Sequence, residues 1–161
     1  MLFEERVLFS PTVPEAVNQL LQEAVAASHA NQARAEKLFI EANALDSRCL
    51  QTYFALYKFY FHVKRLADAE AVVLQALAEA ASQGGFVNNP KQLTEHYPAQ
   101  GFYLNECALF YLYSLKALAF IKLRQDQTRY AHELLAFIKQ LDPEDRSGAS
   151  VIMDLAQGVT Y

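Results

Sequence analysis

Residues 50–81 read LQTYFALYKFYFHVKRLADAEAVVLQALAEAA, and the fold follows from this stretch. Tyr53, Leu56, Tyr57 and Tyr60 stand at i, i+3, i+4 and i+7, a spacing that places side chains on one stripe of a helix. After a short break the run from Ala67 to Ser82 has the same period, with Ala69, Val73 and Ala76 on one stripe. Gly84 and Gly85 end it, as glycine does where a chain must leave a helix. The stretch is therefore a helix pair, and a small residue such as Ala69 lets the second helix lie close to a neighbour.

Working outward, the second helix recurs on both sides. Gln32 to Ser47 carries Ala35, Phe39 and Ala42 where Leu66 to Ala81 carries Ala69, Val73 and Ala76, and the offset from Ala35 to Ala69 is 34 positions. Thr128 to Pro143 carries Ala131, Leu135 and Ile138 in those places and ends Leu141-Asp142-Pro143. An apolar-periodic helix precedes each: Val17, Leu20, Leu21 and Ala24 before the first, and Leu112, Leu115 and Ala119 before the third. The expected core includes Tyr53, Leu56, Phe39, Ala69 and Leu135.

An aromatic residue, then Leu, a small position, Tyr, and later Ala, Phe, Ala and Pro: this order resembles the tetratricopeptide repeat. The middle unit fits best and departs at Tyr57, where the family prefers a small residue. The first unit ends in Ser47 rather than Pro, and its first helix fits only with about two extra residues near His29 to Gln32. The third needs a similar allowance near Arg124 to Arg129. The resemblance covers most of Pro14 to Pro143. It implies an all-α fold of antiparallel helix pairs stacked as a short solenoid of about three repeats, and it implies binding of other proteins. An ordinary helical bundle is the alternative.

Punctuation agrees with this outline. Thr12-Val13-Pro14-Glu15 reads as a capping box, with Pro14 in the first turn. Asp142-Pro143 is expected to start a last helix with Val151, Ile152 and Leu155 on one side, ended by Gly158 and capping the stack. The whole chain, 1–161, is read as one helical domain with an N-terminal arm at 1–13 and an insertion at 83–105. In the insertion, Phe86 to Pro90 forms a loop, Lys91 to His96 a short helical turn, and Tyr97-Pro98 its end. Phe86, Tyr97 and Phe102 favour ordered packing there.

Composition removes several function classes. The 161 residues are 53% hydrophobic and 20% charged, with 5 Gly and 5 Pro, which is a globular and not a disordered composition. A net charge of -4 without a basic run argues against a nucleic-acid partner. Cys49 and Cys107 are too few for a disulfide scaffold or a zinc site. Two acids among Met1 to Glu5 disfavour a secretory signal, and Lys116 and Lys122 interrupt the most apolar stretch, Cys107 to Leu123. No membrane partner and a cytoplasmic location are expected.

Signals for catalysis are thin. His29, His62, His96 and His132 do not pair at ligand spacing, and His132-Glu133 lacks a second His where Ala136 stands. There is no phosphate-binding glycine loop and no nucleophile elbow. Glu36 with Glu41, and Asp68 with Glu70, read as solvated helix faces; Cys107 reads as a small core residue. No enzyme activity, cofactor or metal is expected.

The aromatic residues carry the functional reading. Tyr and Phe make 12% of the chain, there is no Trp, and they cluster from Tyr53 to Phe61 and from Phe102 to Phe120. Phe54, Lys58 and Phe61, with Gln51 and His62 beside them, fall off the core stripe of their helix. In tetratricopeptide proteins this side lines the concave groove. The same register sends Phe110, Tyr113, Ala117, Phe120 and Ile121 there, and Glu15, Asn18, Gln22, Val25 and Ala26 from the first unit. The peptide-binding site expected is therefore Gln51, Phe54, Lys58, Phe61, His62, Phe110, Tyr113 and Phe120. Such a groove suits an apolar peptide segment of a partner protein. The carboxylate clamp of the family's co-chaperones is absent, since Asn18 and Gln22 match only in part and Lys58 stands alone. The groove looks more like that of bacterial tetratricopeptide chaperones and assembly helpers, and implies an adaptor or chaperone-like role. The alternative is a structural homo-oligomer, its groove filled by a second copy, by the insertion, or by Met1 to Ser10 through Leu2, Phe3, Val7, Leu8 and Phe9.

Overall fold

The computed structural model describes residues 13–97 and 101–158. Expectations on Met1 to Thr12, including the arm and the Thr12 cap, and on Pro98 lie outside the described residues. The described chain is all-α, with eight helices: α1 (Glu15–Ser28), α2 (Gln32–Leu45), α3 (Leu50–His62), α4 (Leu66–Gly84), α5 (Pro90–His96), α6 (Glu106–Arg124), α7 (Thr128–Leu141) and α8 (Ser150–Ala156). None is long and apolar enough to cross a membrane. Contacts gather the chain into two compact units, Met1–Val72 and Val73–Tyr161, with the boundary inside α4.

The first unit is built on α1, α2 and α3, each packed on the other two. Val17, Leu21 and Ala24 of α1 and Ala35, Leu38, Phe39 and Ala42 of α2 are buried. Phe39 meets Phe59 of α3 with ring centroids 5.3 Å apart. The Tyr53 hydroxyl donates to the Ser47 carbonyl at 2.7 Å, tying α3 to the turn before it. Tyr60 donates to Glu36 at 2.7 Å, and Arg65 bridges Glu36 at 2.9 Å and Asp68 at 2.8 Å. Hydrogen bonds from Arg65 and then Tyr60 hold the Glu36 carboxyl below its ordinary range, while burial first and the Glu36 bond second push the Tyr60 hydroxyl up to about 12.

In the second unit α7 packs on α5, α6 and α8. Phe102 is fully buried in an aromatic cluster, 4.7 Å from Phe86 and 5.4 Å from Tyr97, so these three rings of the insertion pack together. Asn89 caps α5 by accepting from the Gln92 N–H at 3.1 Å. Asn105 caps α6 through the Ala108 N–H at 2.9 Å and reaches back to the Gly84 carbonyl at 3.3 Å. Gly84 is there for space: a Cβ would lie 2.3 Å from the Phe86 ring and 2.9 Å from the Cys107 Cβ.

The helix pairs repeat one local device. After α3, the Lys64 N–H bonds the Phe61 carbonyl at 3.1 Å and the Arg65 N–H bonds the Tyr60 carbonyl at 2.8 Å. After α6, Asp126 to Leu123 at 3.2 Å and Gln127 to Lys122 at 2.9 Å repeat the pattern 62 positions on. Lys64 and Asp126 take the left-handed conformation this ending requires, at φ 64° and 62°. The next helix then begins with a fully buried alanine: Ala35, Ala69 and Ala131 are all 0% exposed, and each N–H bonds at 3.0 Å to the carbonyl four residues back. Phe39, Val73 and Leu135 are buried one turn later.

Lys64 holds its left-handed φ at a cost that Gly85, at φ 74°, does not bear. Lys64→Gly should therefore stabilise the chain by about 1 kcal/mol, read as a higher urea midpoint with unchanged slope.

Five expectations need correction. No allowance is needed in the turns: three residues separate α1 from α2, α3 from α4 and α6 from α7 alike. Thr52, Tyr53, Leu56, Phe59 and Tyr60 of α3 correspond to Ser114, Leu115, Leu118, Ile121 and Lys122 of α6, and all ten are buried. The α1 turn differs instead in geometry, because the Ala27 carbonyl accepts from both Ala30 and Asn31 and no left-handed residue is used. The stripe of α3 is shifted: Tyr57 is half-buried and Phe59 buried, since α3 packs against two helices. Pro14 is not in a first turn; it precedes Glu15 and its carbonyl accepts the Asn18 N–H at 2.8 Å. The last helix starts at Ser150, not at Asp142. Asp142 spends its carboxylate on the Arg146 and Ser147 N–H groups, both at 2.9 Å, so the backbone wraps it as a turn. No residue of α8 is buried, and Val151 and Leu155 are exposed, so α8 does not bury the apolar side expected of a cap.

Candidate functional site

Helix α3 carries five of the expected site residues in the first unit. Phe54, Phe61 and Gln51 are half-buried, and Lys58 and His62 are exposed. The spacing from 51 to 54, 58 and 61 keeps them on one line, apart from the buried Tyr53, Leu56, Phe59 and Tyr60. Phe54 meets Tyr57 edge-on at 5.4 Å, and Gln51 accepts from the Cys49 thiol at 3.5 Å. On α1, Asn18, Gln22 and Val25 are half-buried, and Glu15 and Ala26 are exposed.

Helix α6 carries the other three in the second unit. Phe110, Tyr113 and Phe120 are half-buried, as is Ala117. Ile121 is a correction: it is fully buried and belongs to the core, because it occupies the position of Phe59 in α3. The residue that sequence reasoning missed on this line is Lys116. Its ammonium donates to the Ser147 carbonyl at 2.7 Å and lies 5.4 Å from the Tyr113 ring centroid. The signal was available, since 113, 116 and 120 repeat the spacing of 51, 54 and 58.

A different line of α6 faces a cavity of about 360 Å³ within the second unit. Its walls are Leu74 and Leu77 of α4, Tyr111, Leu115 and Leu118 of α6, and Tyr130, Glu133, Leu134 and Phe137 of α7, with residues 88–91 along one side. The Tyr111 hydroxyl donates to the Asn88 side chain at 2.8 Å and so holds that loop on the cavity; burial pushes its ionisation well above the ordinary range. Leu74 is 48% exposed and Tyr130 46% exposed. The Lys122 ammonium lies 5.1 Å from the Tyr130 ring centroid. Exposed Leu74, and Ile40 thirty-four positions before it at 50% exposed, are apolar where the helical period turns to solvent.

His132 and Glu133 are both exposed on α7. Among the described residues, no three His, Cys, Asp or Glu side chains are grouped to hold a metal ion. No protein-family model matches the chain, and neither a curated protein nor a solved structure does.

Proposed function

We propose that the chain is a tetratricopeptide-like protein-binding module that holds an apolar segment of a partner through the aromatic line of α3. The observation that carries this is the row of Phe54 and Phe61 on α3, half-buried and off the core line, flanked by exposed Lys58 and His62. A face meant only for water would carry Glu, Lys or Gln there, and aromatic side chains with a few charges beside them are what binding hot spots are made of. Phe110, Tyr113 and Phe120 give α6 the same character. An adaptor or chaperone-like role in the cytoplasm goes with this reading, without catalysis, cofactor, metal or nucleotide.

The test is capture on the immobilised full chain, followed by affinity measurement for the partner obtained. Phe54→Ala and Phe61→Ala should each weaken binding by about 1–3 kcal/mol, roughly 5- to 150-fold. Their thermal midpoints should fall less than that of Ala69→Arg. Light scattering over a concentration series addresses the competing homo-oligomer. A mass that doubles with concentration, and is restored to the monomer by Phe61→Ala, would assign the aromatic line to a second copy instead.

A further inference from the structure

We infer that the cavity of the second unit is a separate anchor site for an amphipathic helical segment of a protein partner. Two apolar side chains one turn apart would enter it, and the segment would carry both an acidic and a basic residue at its flanks. The cavity lies on the Tyr111, Leu115 and Leu118 line of α6, not on the Phe110, Tyr113 and Phe120 line, so the site does not depend on the function proposed above.

Three observations choose the occupant. The volume of about 360 Å³ is at the lower end for ligand pockets, enough for a pair of large side chains rather than a whole cofactor. The walls are helical: Leu74 and Leu77 are three apart on α4, Leu115 and Leu118 three apart on α6, and Tyr130, Leu134 and Phe137 spaced four and three on α7. Ridges of this period accept the i, i+4 ridge of another helix. The charges are of both signs: Lys91, at the start of α5, and Glu133, on α7, line the cavity, and both are exposed. Neither is in a salt bridge with another described residue. A segment with one acid and one base satisfies both, whereas a like-charged segment opposes one of them.

Exposure of the apolar rim supports a macromolecular occupant. Leu74 and Tyr130 lose nearly half of their possible burial in the chain alone. A helix lying across them would cover both, while a small molecule confined to the cavity would leave the rim wet.

The experiment uses the full chain with ¹³C-labelled leucine methyl groups, observed by NMR. The probes are three blocked alanine-based helical peptides, each with two leucines at i and i+4. One is flanked by a glutamate and an arginine, one by two glutamates and one by two arginines. The mixed-charge peptide should shift the methyls of Leu74, Leu77, Leu115, Leu118 and Leu134 saturably, at least fivefold more tightly than either like-charged peptide. Lys91→Glu should turn the preference to the two-arginine peptide, and Glu133→Lys to the two-glutamate peptide, with the far-ultraviolet circular dichroism unchanged in both. Leu74→Ser should weaken the mixed-charge peptide at least fivefold. Three results would overturn the inference: no saturable shift up to about 1 mM peptide, equal binding of all three peptides, or octanoate shifting these methyls more tightly than any peptide. Concentration-dependent shifts of the same methyls without peptide would also overturn it, by assigning the cavity to a second copy. Loss of peptide shifts in Leu74→Ser alongside full partner binding at the α3 line would separate this site from the function proposed above.

Discussion

Ala69→Arg is expected to lower the thermal midpoint by about 10 °C, whereas Ala67→Arg, two positions earlier on α4, leaves it within about 2 °C. Ala69 is 0% exposed, and Ala67 is exposed. An arginine at 69 must either place a guanidinium in a packed, apolar contact or push the backbones apart. Each route costs roughly 3–5 kcal/mol, a large part of the 5–15 kcal/mol that holds a typical domain folded. Helix propensity cannot confuse the comparison, because alanine is replaced by arginine in the same turn of the same helix. Ala35→Arg and Ala131→Arg should behave like Ala69→Arg, since all three alanines are fully buried at the same step after the turn. A midpoint unchanged in Ala69→Arg would contradict the repeat register.

Asp142→Asn is expected to cost about 3 kcal/mol at neutral pH, and Asp142→Ala more. Asp142 is 5% exposed. One oxygen accepts from the Tyr103 hydroxyl and the Arg146 N–H, the other from the Ser147 N–H at 2.9 Å and the Ser147 hydroxyl at 2.6 Å. Arg146 also lies over the Tyr103 ring at 4.1 Å, and the Phe102 N–H bonds the Leu141 carbonyl at 2.6 Å. The carboxylate therefore pins the end of the insertion to the end of α7. An asparagine offers one acceptor oxygen and turns an NH₂ toward groups that are themselves donors; an alanine leaves every donor without its partner.

The same site sets an acid limit. Burial raises the pKa of Asp142, but the hydrogen bonds from Ser147 and then Tyr103 outweigh it, and the folded value lies below the ordinary 3.8. A carboxylate depressed in the fold contributes stability that is present above its unfolded pKa and lost as pH falls through the folded one. Glu36 adds to this limb in the same sense, being held below 4.5. Wild type should thus lose stability below about pH 4. Asp142→Asn lacks the ionising group, so its deficit against wild type should narrow over that range in urea melts. A deficit constant from pH 7 down to pH 2 would show that the carboxylate charge contributes nothing. At the other end, burial and then the Asp142 bond push the Tyr103 hydroxyl up to about 12, so it stays a donor throughout the neutral range.

The second helices were the most legible part of the sequence. Ala35, Ala69 and Ala131, each followed four positions later by Phe39, Val73 or Leu135, mark a single buried stripe that periodicity reads directly. The first helices were harder because they are buried over a wider arc. A one-stripe reading of α3 takes Tyr57 into the core and leaves out Phe59, and a one-stripe reading of α6 sends Ile121 to the surface. Thr52 and Ser114, polar yet buried, hide the true correspondence of the two helices; the Ser114 hydroxyl is satisfied by the Phe110 carbonyl at 2.9 Å. The late start of α8 was invisible because an Asp-Pro pair signals a helix start as readily as it signals the turn that Asp142 organises. The aromatic lines of α3 and α6 could be read from spacing. The cavity could not, since residues 74–77, 88–91, 111–118 and 130–137 meet there only through the fold of the second unit. Its trace in the sequence is an apolar Leu74 and a Tyr130 at positions that the helical period leaves to water.

The central claim is that the aromatic line of α3 holds a segment of another protein. Photo-crosslinking in the source cells, with a benzophenone amino acid at Phe61 in one variant and at Lys58 in another, tests it most directly. The predicted result is one partner protein, joined to both variants through the same short apolar segment and lost when Phe54→Ala is added to the Phe61 variant. Crosslinks at both positions only within the chain itself, or only to a second copy of it, would contradict the claim.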